Sequence, residues 1–334
     1  MKVAVVGAGA IGAYVGAALH RGGADVTLIA RGRHLEAMRR DGVHVLSPRG
    51  DFHVPVPATD DPAEVGAVDY IVLGLKAQDY ASSDPLVRPL LGPATSIVAA
   101  QNGIPWWYFH GEVGPYEGRR IEAVDPGGAV SATLDPARAI GCVVYSSTEL
   151  DRPGVVRHIE GTRFTIGEPD GSQSERCRAF AEAMIAGGLK CPVEPDIRSE
   201  IWLKLMGNAA FNPISALTRA TMVQIATCPP TRRLAVDVMT EVRDVAAALG
   251  RRPEISIERR LAGAERVGAH RTSMLQDLEA GKALELAPLV GAVVELADLT
   301  GVPVPALRAV AAATTLLDRV SRSAEVTEPA VVGR

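Results

Sequence analysis

Three polar residues recur at helical spacing inside an otherwise apolar stretch. Between Glu200 and Ser215, Lys204, Asn208 and Asn212 stand at i, i+4 and i+8 among Ala, Leu, Met and Phe. Each helical residue turns the chain by about 100°, so eight steps come back to within about 80° of the start and the three side chains share one face. A solvated face usually carries several charges; this one carries one ammonium and two neutral amides. Such a face suits a cleft wall that meets a polar ligand. The same spacing also describes a helix edge with a snorkelling lysine.

A second constellation opens the chain. Gly7-Ala8-Gly9-Ala10-Ile11-Gly12 matches G-x-G-x-x-G, directly after the apolar run Lys2–Val6 and at the start of an apolar helical run to Arg21. In that strand–turn–helix setting the motif is a dinucleotide fingerprint. Gly7 permits the tight turn, Gly9 lets the backbone approach a pyrophosphate, and Gly12 lets the helix pack on the strand. The helix start, through Ala8, Ala10 and Ile11, offers free N–H groups to phosphate. The next strand, 26–30, ends without the acid that an NAD site places there, and Arg31 follows. A guanidinium pairs with a 2′-phosphate, so the cofactor expected is NADPH/NADP. Arg33 reads as a solvated helix-start residue.

Two further residues stand where strands end. Lys76 follows the apolar run 70–75, and Asn102 follows the run 96–100 within Gln101-Asn102-Gly103. Ligands of open α/β sheets lie outside the carboxyl ends of the strands. Lys76 there adds positive charge near cofactor phosphates, and Asn102 can reach a ribose or a substrate; an ordinary Asn-Gly turn is the alternative for Asn102. Ser273-Met-Leu-Gln-Asp277 and Glu285 form a third polar cluster, with Glu285 before an apolar run, as suits a charge at a helix N-terminus.

The elements that carry these residues change character along the chain. Up to Pro195, apolar runs at 2–6, 26–30, 70–75 and 96–100 alternate with helical patterns, implying a doubly wound parallel sheet. Strand-like runs follow at 141–146, 155–159, 163–167 and 190–194, with a helix over 174–186. Beyond Pro195 only Ala- and Leu-rich helical patterns remain, over 197–227, 230–250, 254–284 and 285–300. The reading is α/β: a Rossmann domain over 1–195, an all-helical substrate domain over 196–320, and a frayed tail over 321–334.

Composition limits the function. The 334 residues carry a net charge of −4, which argues against a nucleic-acid partner held by a general basic field. There is no uninterrupted apolar run of about 18 residues for a membrane span. The opening residues lack a basic n-region, and the four cysteines form no C-x-x-C pair, so a cytoplasmic protein without a metal site is expected. With 33 Gly but only 5 Phe, 3 Trp and 6 Tyr, the core must rest on Ala, Val, Leu and Ile.

Taken together, four motifs resemble the ketopantoate reductases, or 2-dehydropantoate 2-reductases: GAGAIG at 7–12, QNG at 101–103, WLKLMGNAAFNPISAL at 202–217 and SMLQDLEAGKALE at 273–285. The resemblance spans nearly the whole chain. It implies a 6-phosphogluconate dehydrogenase-like arrangement, an NADPH domain followed by a helical substrate domain, and reduction of a 2-oxo acid, ketopantoate to pantoate, in pantothenate biosynthesis. It further implies that Lys204 is the catalytic lysine and Glu285 an acid near the ribose and reacting centre. Asn102 then contacts cofactor and substrate, Asn208, Asn212 and Ser273 contact substrate, and Arg31 and Lys76 form the 2′-phosphate pair.

The chain departs from the family pattern in places. Trp106-Trp107-Tyr108-Phe109 gathers four aromatics just after Asn102, in a long connection to Gly128. They read first as a packed loop or a subunit contact, consistent with a homodimer, and second as a roof admitting a bulkier acyl group. The run after Glu285 lacks polar residues, and Met222 stands where some members have a substrate-binding asparagine. Rival functions are a β-hydroxyacid or opine-type dehydrogenase, and a non-catalytic NADP(H) sensor.

Overall fold

The computed structural model describes residues 1–327, with side chains through Ser323. Its contacts group into two compact units: Met1–Arg120 with Asp125–Arg198, and Ile121–Val124 with Ser199–Arg334.

Unit 1 runs β1 (Lys2–Val6), α1 (Ala10–Arg21), β2 (Asp25–Ile29), α2 (Gly32–Asp41), β3 (Val43–Leu46), β4 (Phe52–Val54), β5 (Ala58–Thr59), β6 (Tyr70–Leu73), α3 (Asp84–Val87), β7 (Ser96–Ala99), α4 (Ala129–Thr133), β8 (Ala139–Val144), β9 (Ser147–Arg152), β10 (Val155–Glu160), β11 (Phe164–Gly167) and α5 (Glu175–Ala186). Seven strands form one sheet in the order β11-β8-β7-β6-β1-β2-β5. All its pairs are parallel except β11 with β8. The chain leaves β1 to one side for β2 and later returns to the other side for β6, the strand-order reversal of a doubly wound sheet. Apart from Lys2 and Ser96 at their first positions, the central strands β1, β6 and β7 are apolar because both faces are covered.

A second, four-stranded sheet, β4-β3-β10-β9, was not expected from the sequence. It contacts α1 on the side away from β1 and β2. Eight residues of α1 are therefore buried, Gly12 through Leu19, and most are small. A Cβ on Gly16 would lie 2.5 Å from Leu28 Cδ2, so a larger residue there would push the Leu28 side chain aside. The expected strand at 190–194 is reduced to isolated bridges, Arg163 with Lys190 and Ile166 with Val193.

The aromatic run is internal to unit 1. Trp106, Trp107, Tyr108 and Phe109 are each 4% exposed or less. Trp106 Nε1 donates to the Leu134 carbonyl at 2.7 Å, and the Trp107 ring lies where a Cβ on Gly141 would be. A buried arginine, Arg198, ties the loop down. It donates to the carbonyls of Tyr108 (2.7 Å), His110 (2.7 Å) and Pro169, and pairs with Glu112 at 3.2 Å. The aromatics are thus a packed loop. They offer no exposed subunit contact and no roof for a substrate, so the homodimer loses the argument drawn from them.

Unit 2 is all helical: α6 (Ile197–Thr218, its first two residues in unit 1), α7 (Met222–Thr227), α8 (Pro229–Ala248), α9 (Ile257–Val267), α10 (Ser273–Glu279), α11 (Ala292–Thr300) and α12 (Pro305–Thr327). The expected helix over 285–300 begins as a π-helical turn, Ala287–Gly291, before α11. The expected 254–284 pattern breaks at Gly268, whose φ of +76° stops α9. Carboxylates fix the joints. Glu241 accepts from the N–H groups of Ala306 (2.9 Å) and Leu307 (2.7 Å) at the start of α12. Glu295 of α11 accepts from Glu122 and Ala123, both at 2.8 Å, which draws the stray segment 121–124 into this unit. The α12 helix continues past Ser321, where the sequence reading expects fraying, to Thr327; residues 328–334 lie outside those described. Among the described residues, no helix is long and apolar enough to cross a membrane.

One side chain links the glycine turn to the second sheet. His34 of α2 bonds the Ala8 carbonyl through Nε2 at 2.7 Å, while its Nδ1 accepts from the Gly154 N–H at 2.9 Å. That pair fixes the neutral Nε2–H tautomer. Burial pushes the imidazole below its ordinary value, against the Ala8 carbonyl, which favours the proton. The unfolded chain therefore takes up this proton near the ordinary value of 6.5, and the folded chain only at lower pH. The His34 contribution is complete above that window and is lost as the pH falls through it.

Two measurements test these joints. Replacing Arg198 with Met leaves Glu112 and three carbonyls without their donor, and should lower the unfolding free energy by about 3–5 kcal/mol in urea titrations. A loss below about 1 kcal/mol would show that the loop does not depend on it. Acidification from about pH 7.5 to about 5.5 should cost the wild type more stability than the His34→Gln variant. Equal losses would remove His34 as the source.

Candidate functional site

The carboxyl ends of four parallel strands line up. Val6 pairs with Ile29 and with Leu73, and Leu73 pairs with Ala99. The segments that leave this row are Gly7–Gly12 after β1, Arg31 after β2, Lys76 after β6 and Asn102 after β7. The register thus brings the unit 1 candidates to one sheet edge. Because β1 lies between β2 and β6, Arg31 and Lys76 leave the sheet on opposite sides of the glycine turn.

The turn itself is built by backbone contact. Gly7 has φ +87°, and the N–H groups of Gly7 and Ala8 both donate to the Ile29 carbonyl at 3.1 Å. A Cβ on Gly12 would collide with the Gly7 carbonyl oxygen. A Cβ on Gly74 would collide with the same oxygen and lie 3.0 Å from the Gly12 Cα. Gly74 is a residue the sequence reading passed over inside the run 70–75; its signal is a lone glycine interrupting a strand pattern. Gly9 differs: a Cβ there would have no atom within 4 Å. Gly9 is also the N-cap of α1 and carries no side-chain cap, so the first helical N–H groups are left for another partner. An open cradle above an uncapped helix start fits a dinucleotide pyrophosphate. Arg31 is exposed at the N-cap of α2, and Lys76 is half-buried ahead of a short 3₁₀ helix. Gln101, beside Asn102, is buried, with Nε2 donating to the Ile104 carbonyl at 3.3 Å.

In unit 2, α6 carries Lys204, Asn208 and Asn212 on one face. Lys204 and Asn208 are half-buried and Asn212 is buried. The Asn212 Nδ2 group is enclosed with no hydrogen-bond partner. Burying an unpaired amide costs about 1–3 kcal/mol, so its retention in an apolar helix asks for a reason beyond packing. Pro213, next along, has no N–H and removes one helix bond at that turn. A side chain the sequence reading missed supports the Lys204 turn. Arg260 of α9 donates through Nη2 to the carbonyls of Leu203 (2.6 Å) and Lys204 (3.1 Å). It can approach because residue 207 is glycine; a Cβ there would lie 2.9 Å from that nitrogen.

The remaining candidates stand on other elements of unit 2. Ser273 is exposed as the first residue of α10, whose N-cap Thr272 accepts from Leu275 N–H at 3.2 Å. Glu285 is 6% exposed and directly precedes the turn that becomes π-helical. Its neighbour Leu284 donates its N–H to Asp318 at 3.0 Å. Met222 begins α7, and its N–H donates to the His270 carbonyl at 3.0 Å.

Comparison with known proteins agrees with this layout. The family model described as ketopantoate reductase PanE/ApbA matches residues 3–171, and the model for the C-terminal part of the same family matches residues 196–318. A 2-dehydropantoate 2-reductase of Mesorhizobium japonicum is 49% identical over 313 residues, covering 93% of this chain and 96% of the relative. One from Halobacterium salinarum is 31% identical, covering 96% and 99%. The crystal structure of a 2-dehydropantoate 2-reductase from Geobacter metallireducens superposes with a TM-score of 0.83 at 29% identity, covering 95% of this chain and 99% of that one. A glycine cradle at the switch point of a doubly wound sheet, a helical second unit with a lysine–asparagine face, and these likenesses along both parts make the chain a member of the ketopantoate reductase family.

Proposed function

We propose that the protein reduces a 2-oxo acid to a 2-hydroxy acid with NADPH, and that its substrate is ketopantoate, giving pantoate. The observation that carries this reading is the α6 face, where one ammonium and two amides, one of them buried without a partner, stand in an apolar helix. A binding-only sensor has no use for an acid in such a place.

The unit 1 edge holds the cofactor in this reading. The open side of Gly9 and the uncapped start of α1 receive the pyrophosphate, and Arg31 and Lys76 take the 2′-phosphate. Bound NADPH supplies the hydride. The chain supplies the rest. Lys204 stabilises negative charge on the substrate carbonyl oxygen and gives it a proton. Its backbone is held by Arg260, so the ammonium works from a fixed turn. Asn208 and Asn212 hold the carboxylate and hydroxyl of the acid, and the unpartnered Asn212 Nδ2 gains an acceptor when substrate binds. Ser273 adds a substrate contact, Asn102 contacts ribose and substrate, and Glu285 orients the ribose hydroxyls and acts near the reacting centre. The four free cysteines, three of them buried, suit a reducing compartment, and we assign the protein to the cytoplasm.

Two kinetic measurements separate these roles. Lys204→Ala should lower kcat by about 10²–10⁴-fold with ketopantoate while the Kd for NADPH changes little. Turnover near the wild-type rate would remove Lys204 as the acid. Arg31→Ala should raise the KM for NADPH about tenfold or more and leave that for NADH nearly unchanged, narrowing the preference between them. A preference that survives intact would assign the 2′-phosphate to other residues.

A further inference from the structure

Helix α1 buries a polar group that unit 1 does not use. Tyr14 is 4% exposed, and its ring stacks on His158 with centroids 4.9 Å apart. Its hydroxyl has no hydrogen-bond partner among the described residues, yet it is not sealed in protein. It opens on a cavity of about 170 Å³ between α1, the β3–β4 turn and the end of α5.

Two exposed arginines border this cavity, one of them restrained. Arg21, the last residue of α1, holds its guanidinium 4.2 Å from the centroid of the Phe52 ring, which restrains its plane. Arg49 comes from the β3–β4 turn. Ser47 shapes that turn: its N–H donates to Asp51 Oδ1 at 2.7 Å, and its hydroxyl accepts from the Arg49 N–H at 3.1 Å. The Ser47 hydroxyl in turn donates to His158 Nδ1 at 2.9 Å, because His158 Nε2–H is committed to the Gly161 carbonyl at 2.5 Å. Neither guanidinium has an ion pair among the described residues. Both act on Tyr14: burial raises the phenol pKa, and Arg49 and Arg21 oppose the rise. Thr162, 7% exposed, adds a second hydroxyl without a described partner, and no acid lines the cavity.

Two cations and two hydroxyl donors around a small cavity form a donor set for an oxyanion. We propose that this cavity is a second ligand site, separate from the glycine turn, that binds a small phosphate-bearing anion. Arg21 and Arg49 pair with its charge, Tyr14 and Thr162 donate from the wall, and any short apolar substituent rests on Ala18 and Leu189. The assignment does not depend on the reductase reading.

The test is titration of inorganic phosphate at constant ionic strength, followed by calorimetry and thermal unfolding. Saturating NADP⁺ is present so that phosphate positions at the glycine turn are filled. The wild type should show saturable binding and a higher Tm. Binding should weaken about tenfold in Arg49→Ala and severalfold in Tyr14→Phe, which keeps the ring and removes only the hydroxyl. Succinate, run in parallel, should bind more weakly than phosphate. Absence of saturable binding, or binding unchanged in either variant (an adventitious ion only), overturns the site. Succinate binding as tight as phosphate overturns the phosphate assignment. Phosphate held at an unfilled glycine turn would not respond to Arg49→Ala, so a failure of the cofactor reading is distinguishable.

Discussion

The Gly7 carbonyl oxygen occupies the space that a Cβ would need on either Gly12 or Gly74. That contact joins the end of β1, the first turn of α1 and the end of β6 at one point. No side chain larger than hydrogen fits on either partner, and Gly7 itself needs a left-handed backbone at φ +87°. The consequence runs outward. With the turn fixed, α1 must start above the sheet edge with its N–H groups outward, and its length must lie flat across β1 and β2. One turn further along, Gly16 lies close to the side chains of Leu28 and Val5 instead. The second sheet then covers the other side of α1, and His34 pins the Ala8 carbonyl to the Gly154 turn. A phosphate cradle made of backbone is only as well placed as the packing around it, and here that packing is backbone on backbone.

The segments that were legible in the sequence are those whose burial is the same on both faces or follows one period. β1, β2, β6 and β7 read as strands because each is nearly all apolar, and the candidates at their ends follow from the rule that ligands sit at carboxyl edges. The α6 face is legible because three polar residues share one side of an apolar helix. The second sheet was only partly legible. Ser147–Arg152 is exposed along most of its length and strongly polar, and β4 has three residues, so no alternation could develop. Lys190–Glu194 has the composition of a strand but only touches its neighbours at two isolated bridges. The tertiary contacts that support the site left fainter traces. Arg260 reaches the Lys204 turn from 56 residues away. Nothing local to either residue announces it except that residue 207 is glycine.

The aromatic run shows how composition misleads when burial is unknown. Four large rings in a loop look like a surface awaiting a partner. One buried cation binds the loop that carries them, and a buried arginine is tolerated only if its donors are met. Arg198 meets that condition with two carbonyls of the aromatic loop, the Pro169 carbonyl after β11 and one carboxylate. The loop in turn needs the arginine, since its carbonyls have no helix or sheet to answer them. Neither half of this arrangement is visible from a single stretch of sequence.

Unit 2 concentrates its departures from regular structure where the candidate chemistry lies. Asn212 leaves an amide nitrogen enclosed without a partner, Pro213 beside it removes a helix bond, and the turn after Glu285 is wound as a π-helix. Each costs stability that an ordinary apolar helix would keep. π-Turns recur at functional sites because the extra residue re-aims its neighbours. An asparagine whose amide is unmet in the free protein binds an acceptor without first giving up a bond to the protein or to water. The cost therefore falls on the free protein, and an acceptor that reached this amide would offset it. The irregularities of α6 and of the turn after Glu285 thus share one character: folding energy is given up at the candidate residues, where an ordinary apolar helix would keep it.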